Sequence, residues 1–152
     1  MKNHFKKLLY LAVFAASFST QAGSHEDFFR AVRSDNAGGI QALLSRGFDP
    51  NTVDEHGQAG LLIAMREPSP RVIQVLLDSP KTNVEVRNAK DESPLMLAAL
   101  KGQQELVTRL ISRDADVNKP GWTPLHYAAT RGHVAIIKQL LEDYAFIGAR
   151  SP

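Results

Sequence analysis

The 152-residue sequence predicts an all-α solenoid of about four helix–turn–helix units with projecting hairpin-like loops, preceded by a signal peptide. Three observations carry this prediction. Asp49-Pro50-Asn51, Asn83-Val84-Glu85 and Asp116-Val117-Asn118 close similar blocks, with 34 residues from Asn51 to Glu85 and 33 from Glu85 to Asn118. Ser93-Pro94-Leu95-Met96 and Thr123-Pro124-Leu125-His126 open two of these blocks, and Ala59-Gly60-Leu61-Leu62 is a degenerate earlier copy. Apolar residues at helical spacing follow each opening, as in Val72-Ile73-Gln74-Val75-Leu76-Leu77. A period of this length marks a repeat array in which no unit buries its apolar face alone.

The first 22 residues are of another kind. Lys2, Lys6 and Lys7 precede an apolar run from Leu8 to Phe18, and Thr20 and Ala22 place small residues at a cleavage site. This three-part layout predicts a secretory signal peptide. Eleven apolar residues are too few for a membrane span, which needs about 20. The whole chain carries a formal charge of +2. Removing three of its 18 basic residues and none of its 16 acidic ones leaves 15 against 16, one net negative. A nearly neutral domain over 23–152 has no electrostatic reason to seek nucleic acid. The chain has no cysteine, which excludes disulfides, thiolate metal sites and a cysteine nucleophile and suits an oxidising compartment.

The units fall at approximately 24–51, 52–85, 86–118 and 119–148. The first is the most irregular: Phe28-Phe29 stands where later units carry Leu95-Met96 or Leu125-His126. These two rings are expected to plug the open N-terminal end, because a terminal unit needs a covered outer face. Gly38-Gly39 reads as a soft spot in that unit's second helix. In the second unit Gly60 replaces proline, and Pro68-Ser69 replaces the Gly-Gln and Gly-His pairs that follow. The third and fourth units are regular. Ser93 and Thr123 are N-caps, with Pro94 and Pro124 at the first helical position, where a missing N–H costs nothing. Ala98-Ala99 and Ala128-Ala129 allow close helix approach, and Gly102 and Gly132 supply a left-handed turn. The second helices then present Leu106, Val107, Leu110 and Ile111, and Ile136, Ile137, Leu140 and Leu141. Ala145-Phe146-Ile147 is expected to fold back over the last helix; the alternative is an apolar edge for self-association.

The run Gly121-Trp122-Thr123-Pro124-Leu125-His126-Tyr127-Ala128-Ala129, continuing through Gly132-His133, resembles the ankyrin repeat. The resemblance covers the chain from Ser24 onward, with about three residues missing between Asn118 and Gly121 against the usual 33-residue period. It implies a protein-binding module that uses a concave face lined by first helices and loop tips. It also implies that His126 and His133 hydrogen-bond backbone rather than serve chemistry. The implied tip contacts are Glu55, His56 and Gln58, then Ala89, Lys90 and Glu92, then Lys119, Pro120 and Trp122. The implied helix contacts are Arg33 and Ser34, Arg66 and Glu67, Leu100 and Lys101, Thr130 and Arg131. Both charge signs with one aromatic suit a folded protein partner, and tryptophan and arginine are enriched among hot spots.

No catalytic constellation accompanies this surface. The acid pairs Glu26-Asp27, Asp54-Glu55, Asp91-Glu92 and Glu142-Asp143 are sequence neighbours, which do not face each other on a helix. Gly-rich phosphate loops, nucleophile elbows and His-Glu-x-x-His helices are missing from the sequence. The expected protein is therefore non-enzymatic, free of metal and cofactor, and periplasmic or secreted. By resemblance to small secreted bacterial ankyrin proteins it serves as an immunity or inhibitor protein, or beside a periplasmic stress-defence enzyme. A hydrolytic or other enzyme with an unrecognised site and a self-associating scaffold are the competing readings.

Overall fold

The structure, a computed structural model, describes residues 23–143 and residue 145. The expected signal peptide and Phe146-Ile147 lie outside the described residues. Eight helices follow one another among those described: α1 (helical over 23–33), α2 (Ala37–Ser45), α3 (Gly60–Arg66), α4 (Pro70–Asp78), α5 (Pro94–Leu100), α6 (Gln104–Ile111), α7 (Pro124–Thr130) and α8 (Val134–Glu142). They form four pairs. First helices pack on first helices, α3 on α5 and α5 on α7, while α2 packs on α4 and α6 on α8. The solenoid expected from the period is the architecture observed.

Local chemistry builds the regular units as expected. The Ser93 and Thr123 hydroxyls accept the N–H groups of Met96 and His126, and each N3 side chain turns back to its cap's N–H. Gly102 and Gly132 both have φ of +70° and end their first helices. Leu95 is fully buried and Leu106 nearly so, with Ala98, Ala99, Val107 and Leu110 in the same core. The last unit differs: no further helix packs on α8 among the described residues, although Ala145 is buried and donates its N–H to the Leu140 carbonyl at 2.8 Å. Leu141, read as an inward position, is 38% exposed, and Val134 is 59% exposed.

The irregular first and second units have specific physical explanations. Phe28 does not face outward to plug the N-terminal end: it is fully buried, stacks on Phe48, and reaches the second unit. A Cβ at Gly60 would lie 2.6 Å from the Phe28 ring. The bulky ring thus requires glycine where later units carry proline. Gly39 is likewise a fitted position rather than a soft spot. Asn36 caps α2 by accepting the Gly39 N–H at 2.9 Å, and a Cβ at Gly39 would meet that amide at 2.8 Å.

Asp35 stands where later units carry Gly102 and Gly132, with φ of +50°, a conformation aspartate tolerates better than most residues. Its side chain caps a helix of the next unit. Oδ1 accepts the Val72 N–H at 2.9 Å and Oδ2 accepts Arg71 Nε at 3.0 Å, while Ser69, the N-cap of α4, makes no cap bond of its own. Ser69 instead donates to the Val32 carbonyl at 2.8 Å, and His133 Nε2 meets the Leu100 carbonyl at 3.1 Å at the same position two units later. Units are therefore tied by polar bonds as well as by apolar faces.

Three measurements check this description. Leu95→Ala should cost about 2–5 kcal/mol in a denaturant melt, the range for a buried leucine. Gly102→Ala should be more harmful than Gly132→Ala. Both carry the backbone strain of positive φ, about 1–3 kcal/mol, but only at Gly102 does the new Cβ meet the neighbouring His133 ring, at 2.6 Å. Desolvation raises the Asp35 carboxyl, but the Val72 N–H and Arg71 outweigh it and hold the pKa below 3.8. A depressed folded pKa gives stability present above pH 3.8 and lost as pH falls through the folded value. Thermal melts of Asp35→Asn should lie below wild type at neutral pH and converge with it in that acid window.

Candidate protein-binding face

The loop tips are built alike from unlike residues. Asp54 Oδ1 accepts the His56 and Gln58 N–H groups at 2.9 Å each; Asn88 Oδ1 accepts those of Lys90 and Glu92 at 2.9 and 3.0 Å. Such side-chain-closed turns pin the tip backbone. The left-handed tip residue is Gly57 in the second unit, Asp91 in the third and Gly121 in the fourth. An isolated bridge between Val53 and Ala59 closes the second tip.

On these tips and helix ends the expected contact residues separate into two groups. Glu55, His56, Arg66, Glu67, Ala89, Lys90, Pro120, Thr130 and Arg131 are exposed, and Gln58 is half-buried beside Arg66, whose guanidinium donates to its amide oxygen. Trp122 is 44% exposed. Its ring leans on His126 and Tyr127, with centroids 5.4 and 5.7 Å away, which fixes its orientation while leaving one side to solvent.

The second group makes contacts with neighbouring parts of the fold. Glu92 is half-buried; it accepts the Tyr127 hydroxyl at 2.9 Å and the Asn88 amide at 2.6 Å. Burial, then this carboxylate, pushes Tyr127 up to about 12. Lys101 turns back on the neighbouring unit and donates to the Met65 and Arg66 carbonyls, a cation at the C-terminus of α3. Lys119 is half-buried against the Asp91 carboxylate, and desolvation followed by the Arg87 charge lowers its pKa. Leu100 is half-buried, with its carbonyl taken by His133. Glu92 and Lys101, expected as partner contacts, thus also make contacts within the fold. The sequence places them by register, but register does not say which way a long side chain folds.

Two neighbours omitted from the expected tip contacts complete the face. Asp54, with a side chain 7% exposed, receives Arg33 at 3.4 Å and joins α1 to the second tip. His25 bonds the Val53 carbonyl at 3.0 Å and leans on Phe29, whose ring also lies beneath Arg33. A cavity of about 560 Å³ lies along this junction, lined by His25, Phe29, Arg33, Asp54 and Glu55 among others. Asp54 had a usable signal: it stands five residues before Ala59, as Asn88 does before Ser93 and Asn118 before Thr123.

The model of ankyrin repeats in three copies matches residues 28–120 and, again, 61–151. The chain belongs to the ankyrin-repeat family. It is 32% identical over 118 residues to the B-cell lymphoma 3 protein homolog of Mus musculus, covering 73% of this chain and 26% of that protein. It is 32% identical over 106 residues to the ankyrin repeat and SAM domain-containing protein 6 of Rattus norvegicus, covering 67% and 12%. A third relative, the glycerophosphocholine phosphodiesterase gde1 of Schizosaccharomyces pombe, is 31% identical over 110 residues, 70% of this chain and 10% of that one. The chain therefore spans about a quarter or less of the length of these relatives.

Ankyrin repeats are a protein–protein interaction module. Among the described residues no cluster of three metal-ligating side chains occurs, and no helix is long and apolar enough to cross a membrane. His126 Nδ1 accepts the Thr123 N–H at 3.2 Å and His133 bonds across units, the two backbone roles that the repeat implies. Lys101→Ala should lower stability by about 1 kcal/mol or less, the usual range for a cation at a helix C-terminus. Lys90→Ala should leave the melt unchanged. A chemical-denaturation pair of curves separates them.

Proposed function

We propose that this ankyrin-repeat protein is exported and acts outside the cytoplasm as a non-enzymatic binder of one folded protein. The carrying observation is the division of the contact surface. Turn-closed tips hold Lys90, Glu55 and His56 to solvent, Trp122 stands exposed against the His126 and Tyr127 rings, and Glu92 and Lys101 bond the scaffold beneath. Preorganised side chains on a rigid support lose little freedom on binding, which raises affinity for a shaped partner. The lysine-rich start, short apolar run and Thr20-x-Ala22 exit support export. The near-neutral charge of residues 23–152 suits an immunity or inhibitor protein or an accessory to a periplasmic stress-defence enzyme.

The test is recovery of the tagged protein from the compartments of the producing cell, with intact mass and co-purifying proteins identified. A mass beginning at Gly23 and one stoichiometric partner are expected. Full-length cytosolic protein would overturn the export reading, and turnover of a substrate by the purified protein alone would overturn the binder. Trp122→Ala should weaken capture by about 1–3 kcal/mol as a hot spot, with its thermal melt unchanged. Arg66→Glu should slow association in a way that fades at high salt.

A further inference from the structure

A cavity of about 120 Å³ opens between the ends of α1 and α3 and the second loop tip, lined by Arg33, Asp54, His56, Gln58, Arg66 and Glu67 among others. Arg33 and Arg66 occupy the same place in successive first helices, two residues after the small residues Ala31 and Ala64. Stacking brings both to this one recess. Their positive charge is poorly answered within the fold. Among the described residues Arg33 meets one carboxylate, Asp54 at 3.4 Å, besides lying over the Phe29 ring, and Arg66 donates to the uncharged amide oxygen of Gln58.

Asp54 does not neutralise the second guanidinium. Its carboxylate already accepts the His56 and Gln58 N–H groups and Arg33, and its side chain is nearly buried. It orders the tip. Arg66 therefore has no anionic partner among the described residues. A guanidinium is matched in shape and charge by a carboxylate, which accepts paired N–H bonds, and two arginines line this one recess. The recess is large enough for one side chain and too small for a stretch of chain. Asp54, paired with Arg33, and Glu67 are the two opposing charges in the lining, and both weaken attraction for any anion that the forks do not grip directly.

We propose that this recess is a carboxylate-binding subsite that receives a single aspartate or glutamate side chain of the partner. It deepens the protein-binding reading above and rests on it. The partner is thereby narrowed to a protein whose contact surface projects an acidic residue toward the junction of the first and second units.

The probes are three synthetic peptides of glycine and serine, followed by two-dimensional NMR of the arginine Nε–H signals. One is blocked at both ends and carries a central glutamate, the second replaces it by glutamine, and the third is the glutamine peptide with a free C-terminal carboxylate. The glutamate peptide should shift Arg33 and Arg66 saturably, about tenfold more tightly than the glutamine peptide, the worth of one charge-assisted hydrogen bond. Arg66→Gln should abolish that preference, Arg66→Lys should keep the charge but reduce it, and Glu67→Gln should strengthen it. Equal response to the two blocked peptides, shifts as large at Arg131, or a preference that survives Arg66→Gln would each overturn the subsite. Tighter binding of the free-ended peptide than of the glutamate peptide would reassign the recess to chain ends and overturn the proposal as stated. Equal capture of a cellular partner by wild type and Arg66→Gln would remove the subsite while the binding module stands. If wild type captures no partner yet prefers the glutamate peptide, the protein-binding reading falls and the carboxylate site remains.

Discussion

Short helices leave most of their backbone polar groups without a partner, and the rest of this structure depends on how that deficit is met. Four N–H groups at the start and four carbonyls at the end of any helix lack intrahelical partners. In α3, α5 and α7, each of seven residues, that is most of the helix. Local caps answer part of the need, as Ser93 and Thr123 do. Neighbouring units answer much of the rest: Asp35 caps α4, Lys101 meets the end of α3, and Arg113 donates to Leu77 and Thr82. Ser69 and His133 reach back to Val32 and Leu100. A buried carbonyl or N–H left without such a bond costs about 1–3 kcal/mol, so each unit needs its neighbours for polar satisfaction as well as for apolar burial.

This dependence fixes what is free to bind. A side chain that satisfies a neighbour's helix end is not available to a partner, whatever its register in the repeat. Lys101 and Arg66 stand at adjacent positions on the same side of the solenoid, yet only Arg66 keeps its charge directed to solvent and to the recess. Glu92 and Glu55 divide in the same way, the first held by Tyr127 and Asn88 and the second exposed. The surface proposed for partner binding is what remains after stacking has taken its share of the polar groups.

The fold was legible in the sequence because the signals that specify it act within one unit. Ser93-Pro94 and Thr123-Pro124 cap their own helices, Gly102 turns its own chain, and Leu106, Val107 and Leu110 lie on one face of their own helix. What escaped the reading acts between units. The inward turn of Phe28 depends on the space over Gly60, and the cap on α4 comes from Asp35, 37 residues before Val72. Site residues were legible as positions, and Trp122 and Arg66 stand exposed where register puts them. Their engagement was not legible: nothing in the spacing distinguishes Lys101, whose ammonium meets the Met65 carbonyl of the neighbouring unit, from Arg66, which bonds Gln58 of its own unit.

The fit of Phe28 into Gly60 makes the joint between the first two units unlike those that follow. Proline at residue 60 would restore the pattern of the later units but put atoms where the ring lies; a smaller residue at 28 would leave a void over the glycine. A side chain at residue 60 and the ring at residue 28 therefore compete for the same space. The units are consequently not interchangeable parts. A copy of the third unit inserted in second place would bring its proline against the ring, so the order of the units along the chain is written into the shape of this one contact.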